Sequence, residues 1–143
     1  MTSIPRSQQR LQHAVRLAAI LDAAYDAFED MLQAIRAHEN TASGLFAAFV
    51  MAAASAADGH DAILFAPSLP PGQGNSTSTT VDEMPAGESA ASMAGAAARL
   101  SRVLAARLTE VWETAADPGD LAACADAVCC AQSIHDLLAG SGR

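Results

Sequence analysis

Apolar and polar positions fall along this chain in four helix-length blocks separated by turn-forming residues. In the first, from about residue 7 to residue 38, Leu11, Ala18, Tyr25 and Leu32 recur every seven residues, interleaved with Ala14, Leu21, Phe28 and Ile35. That spacing draws one continuous seam along a helix. Leu17, Ile20, Ala24, Ala27 and Met31 add a second stripe, while Asp22, Asp26, Glu29 and Asp30 form the polar side. An unbroken helix of about 30 residues is roughly 45 Å long, and its double stripe is wide enough to meet two neighbours.

The second block, from Ala42 to about Ala57, is apolar on every side: Leu45, Phe46, Phe49, Val50 and Met51, then alanines. A helix without a polar face is expected to be buried all round. The stretch Asn40-Thr41-Ala42-Ser43-Gly44 offers capping oxygens in front of it, and Asp58-Gly59 predicts its stop. At about 16 residues it reaches half as far as the first block. Ala62-Ile63-Leu64-Phe65 predicts a short extended segment laid against the bundle. Residues 67–88, rich in Pro, Gly, Ser and Thr, carry no periodicity and predict a flexible loop.

The third block starts near Pro85 and runs to about Ala115, with Met93, Ala97, Leu100, Leu104, Leu108 and Val111 as its seam. Asp117-Pro118-Gly119-Asp120 is a turn by composition. The last block places Leu121, Cys124, Val128, Ala131, His135 and Leu138 on its seam and closes at Gly140-Ser141-Gly142. A connection this short makes the last two helices antiparallel. The expected fold is a single all-α domain over residues 1–143: a four-helix bundle of long, short, long and medium helices, with the flexible loop between helices 2 and 3.

Composition narrows what such a core can be. Hydrophobic residues make up 51% of the chain but aromatic ones only 4%, and alanine alone accounts for roughly a quarter, far above ordinary usage. Alanine favours helix yet contributes little on burial, about 0.8 kcal/mol per carbon. The core is therefore expected to be narrow and close-packed. Its energy comes from scattered Leu, Ile, Val, Met and Phe.

Eight basic residues stand against sixteen acidic ones, for a net charge of −8. A chain of this charge repels phosphate backbones and anionic lipid, so no nucleic-acid or membrane partner is expected. There is no lysine, which we read as coding bias in a GC-rich bacterial genome. The N-terminal residues show no charged-then-apolar leader, and three cysteines without a spacing framework suit reduced thiols. Both point to the cytoplasm.

Candidate chemistry is sparse. Cys124, Cys129, Cys130 and His135 share one helix but do not converge: Cys124 and His135 lie about 16 Å apart along its axis. The acids of the first block sit on its outer side, and no Glu-x-x-His pair occurs, so a di-metal carboxylate site is not expected. His13, His38 and His60 fall at block ends or polar sides, without ligand partners three or four residues away. No phosphate loop or nucleophile elbow is present. Neither a metal nor a cofactor is expected. Tyr25 and His135, both on seams, are the candidate ligand-binding residues.

Two functions of different class follow. The first is a non-enzymatic bundle that acts by self-association or by binding a partner protein. Because the short second block cannot cover the first, a homodimer packed through the first and third blocks is expected. The second is a small-molecule binding bundle, with modest catalysis at most, in which Tyr25 and His135 line a pocket between helices.

Overall fold

A computed structural model describes residues 3–14, 16–39, 44–69 and 89–139. Among these the chain is all-helical, with five helices: α1 (Ser3–His13), α2 (Leu17–His38), α3 (Phe46–Leu64), α4 (Ala90–Thr114) and α5 (Pro118–Ala139). The all-α expectation holds, but the count is five rather than four.

The extra helix comes from the first block, which is not one rod. It breaks between His13 and Leu17 and folds back on itself. Ser7 Oγ donates to Asp30, and the Arg10 guanidinium forks between Asp26 and Asp22, so α1 runs antiparallel to α2. Nothing in His13-Ala14-Val15-Arg16 announces a turn, for neither Gly nor Pro is present. The stop is supplied from outside. Arg107 of α4 donates Nε to the Leu11 carbonyl at 3.0 Å and Nη2 to the Ala14 carbonyl. A helix end leaves carbonyls without partners, and an arginine fork is well suited to accept that role. Folding back also buries Ile4 and Leu11, which at the tip of a long rod would stand in water.

α3 departs from expectation in the other direction. It begins at Phe46, continues through Asp58-Gly59 and ends at Leu64, so Ala62-Ile63-Leu64 is its last turn and not an extended segment. Gly59 is there for packing: a Cβ at this position would lie 2.3 Å from Cε1 of Phe28. The helix is 19 residues long, close to the 22 of α2. The length mismatch that argued for a dimer through the first and third blocks is therefore absent. Their seams, including Leu21, Phe28, Ile35, Leu100, Leu104 and Leu108, are fully buried within the chain.

α4 opens with Ser89 as its cap, Oγ accepting from the Ser92 amide at 3.0 Å; the start expected near Pro85 lies outside the described residues. α5 opens at Pro118, with Asp117 Oδ1 accepting from the Gly119 amide at 2.7 Å. Its buried face is Asp120, Ala123, Cys124, Ala127, Ala131, Ile134 and Leu138. Leu121, Val128 and His135, expected on the seam, are only half-buried at its edge. Alanine on most sides of this helix leaves its rotational phase poorly marked.

Helices α2, α3, α5 and α4 pack in that order around a square, and α1 lies along the α2–α4 side. Ser101 Oγ of α4 donates to Met31 Sδ of α2 at 3.4 Å. Ser68, just past α3, donates from its amide and its Oγ, at 2.9 and 2.5 Å, to the buried Asp120 at the start of α5. These registers make every neighbouring pair in the square antiparallel. Of the loop expected over residues 67–88, residues 70–88 lie outside the described set, whereas Ser68 is pinned by Asp120 and Leu69 packs against the core. Alanine makes up three of the six buried residues of α3 and three of the seven of α5, and small side chains favour close helix packing.

Two of the helical glycines, Gly59 and Gly95, give opposite predictions. Gly59→Ala gains helix propensity worth about 1 kcal/mol but drives a methyl into the fully buried Phe28 ring. The expected net effect in urea denaturation is a loss of roughly 1–2 kcal/mol. Gly95→Ala meets nothing closer than Arg99 Nη1 at 3.6 Å and is expected to stabilise by up to about 1 kcal/mol. A Gly59→Ala protein as stable as the native one would contradict this packing.

Candidate functional site

Tyr25 and His135 do not share a site. They belong to α2 and α5, which occupy opposite corners of the square. His135 lies at the edge of α5, its Nδ1 3.5 Å from the neighbouring Asp136 carboxylate. Tyr25 instead packs against His60 of α3, ring centroids 4.2 Å apart and planes tilted by 38°. His60 Nε2 lies 3.2 Å from Glu29 Oε1, and its Nδ1 3.4 Å from Asp61 Oδ1.

This pairing follows from two local facts. Tyr25 and Glu29 stand one turn apart on the same side of α2, and α3 runs past Gly59 far enough to present His60 to both. His60, expected at a block end without a partner, is instead inside α3, and its partners come from another helix. Burial, reinforced by Glu29, Asp26 and Asp61, holds the Tyr25 phenol above its ordinary 10.0, so it stays neutral. Neither of the two surface grooves described below is lined by Tyr25, His60 or Glu29. What this group can do is fasten α2 to α3.

Beside it, α1 and α2 share a charged clasp. Asp22 accepts from Arg10 through Oδ2, while its Oδ1 is buried without a hydrogen-bond partner among the described residues. Burial lifts the Asp22 carboxyl above its ordinary 3.8; Arg10 opposes that rise and Asp26 adds to it. Among the described residues no three His, Cys, Asp or Glu side chains converge as a metal site requires.

Two surface grooves lie away from all these groups. One of about 560 Å³ runs between α1 and α4 beside Arg6 and Arg99. The other, of about 230 Å³, lies between α4 and α5 and is lined by Thr109, Trp112, Ala125 and Val128. All three cysteines are free. Burial pushes the thiols of Cys124 and Cys130 up to about 11, helped by Asp120 at the first and Asp58 at the second, while Cys129 is exposed.

The most distinctive surface is none of these. α3, expected to be buried all round, buries only the side carrying Phe49, Ala52, Ala53, Ala56, Gly59 and Ile63. Its other side leaves Phe46, Val50, Met51, Leu64 and Phe65 at 54, 40, 57, 47 and 80% exposure. The expectation that α3 is buried all round is therefore corrected: the bundle covers one side of it and leaves the other in water. α5 is long and apolar enough by length and composition to cross a membrane, yet its inner face packs on α3 and α4 and encloses Asp120. No family model, curated protein or solved structure matches the chain.

Two measurements check these assignments. A carboxyl whose pKa is raised on folding favours the folded state below its unfolded value and loses that contribution as pH rises through the folded value. Asp22→Asn is therefore expected to gain stability relative to the native chain as pH rises above the ordinary carboxyl value of 3.8; a difference independent of pH would refute the burial-driven shift. With a thiol reagent at neutral pH, Cys129 is expected to label first, with Cys124 and Cys130 following only on unfolding. Equal labelling of all three would contradict the packing of α5.

Proposed function

We propose that this protein acts without catalysis, as a helical-bundle module that associates through the outer face of α3. One observation carries the reading: of the six large apolar side chains exposed among the described residues, four stand on α3 and a fifth, Phe65, at its C-cap. By the areas typical of such side chains, they expose on the order of 500 Å² of apolar surface. The area is divided between two clusters, Phe46, Val50 and Met51 at one end and Leu64 and Phe65 at the other, about 20 Å apart along the axis, and exposed apolar clusters of this kind mark interaction surfaces. The polar groups support the same reading. His60, Glu29, Arg10 and Arg107 are each engaged in holding helices together, and none of them lines either surface groove. The three free thiols suit a reducing cytoplasm.

The test is the size of the particle in gently prepared extracts. The native chain is expected to elute above its monomer mass of 14.6 kDa, and Phe46→Ser/Phe65→Ser is expected to elute as monomer. Because both side chains are largely exposed, its denaturation midpoint should change little, by about 0.5 kcal/mol or less per site. A native chain eluting as monomer, or a double variant still in the larger particle, would reject the reading.

A further inference from the structure

We infer that a second copy of the chain covers this face, the two α3 helices packing antiparallel across a two-fold axis near Ala54 and Ala57; the inference rests on the association reading above. A closed two-fold contact needs a surface complementary to itself. Along the exposed side of α3, bulk sits at both ends and small groups at the waist. Phe46, Val50 and Met51 stand at one end and Leu64 and Phe65 at the other, with the exposed Ala54, the half-buried Ala57 and the exposed carboxylates of Asp58 and Asp61 between them. Reversed about its midpoint, the pattern sets Phe46 against Phe65 and Ala54 against Ala57, and brings Val50 opposite the exposed Asp61, whose carboxylate must lean out to water at the edge of the contact. The alanines then let the backbones approach where the helices cross.

Area and charge agree with this occupant. Two such patches remove on the order of 1,000 Å² from these side chains alone, and the flanking alanines carry the total toward the roughly 1,200–2,000 Å² of specific interfaces. α3 and α5 carry no arginine; those of the described chain lie on α1, α2 and α4 and at Arg16. A head-to-tail contact would therefore set arginines against Asp58 and Asp61 of α3 and loosen with salt. In the antiparallel pair the two Asp61 residues stand about 16 Å apart along the axis, beyond the screening length of about 8 Å. The two Asp58 residues come within about 8 Å, so added salt should tighten this dimer. A parallel pair would set each carboxylate beside its own copy.

The experiment joins sedimentation to site-directed crosslinking in the full chain. Sedimentation is expected to show a dimer that strengthens with salt. Ala54→Glu should raise its dissociation constant by about tenfold or more with helix content and denaturation midpoint retained. In a Cys129→Ser background, Ala54→Cys should form an intermolecular disulfide on oxidation and Val50→Cys should not, because the two Val50 positions lie about 16 Å apart along the axis. Crosslinking at both positions, or a dimer weakened by salt, would overturn the antiparallel pairing. A photoreactive benzoylphenylalanine in place of Ala54, irradiated in the cells that make the protein, separates the two levels of the proposal. An adduct of twice the chain mass containing only this chain's peptides supports it. An adduct solely with another protein overturns the second copy but spares the association reading, and no adduct overturns both.

Discussion

Arg107 decides how the first forty residues are used. Its guanidinium reaches from α4 to the carbonyls of Leu11 and Ala14 and so stabilises a helix end that the local sequence does not mark. With that end fixed, α1 turns back along α2 and places Ile4 and Leu11 beside α4. The Arg10 fork to Asp22 and Asp26 then closes the hairpin from the other side. Hydrogen bonds from a charged donor are worth more than neutral ones, about 1.5–3 kcal/mol each, so this small set of contacts can outweigh the continuous helix that propensity favours.

The consequence is an asymmetric molecule. α1 covers the α2–α4 side, and with it comes nearly all of the positive charge. The opposite side, made by α3 and α5, is free of arginine among the described residues and exposes a helix face whose two apolar clusters are separated by Asp58 and Asp61. In a bundle whose remaining seams are satisfied internally, the uncovered apolar surface is concentrated on α3. Function is accordingly read from that face and not from the buried polar groups, which are engaged in helix-to-helix fastening.

Much of this was legible in the sequence, and the exceptions share a cause. The helical blocks, the antiparallel α4–α5 pair and most core positions of α2 and α4 follow from apolar spacing, because Leu, Ile, Phe and Met mark a helix phase clearly. Alanine does not. On α5 it made the edge residues Val128 and His135 look like seam residues, and on α3 it concealed which side was covered. Two further departures came from tertiary contacts that no local rule encodes: Arg107 ending α1, and Phe28 packing against Gly59 so that α3 runs on to Leu64. The second of these moved the partner of Tyr25 from His135 to His60.

The central claim is that the outer face of α3 is covered when the protein assembles. Hydroxyl-radical footprinting reads that directly, since Met51 and Phe65 are exposed and oxidisable, and Trp112 on the α4–α5 side is an exposed internal reference. The account predicts that raising concentration from dilute monomer to assembly slows oxidation of Met51 and Phe65 while Trp112 reacts as before. Unchanged rates at Met51 and Phe65 in the assembled protein, or protection at Trp112 alone, would contradict it.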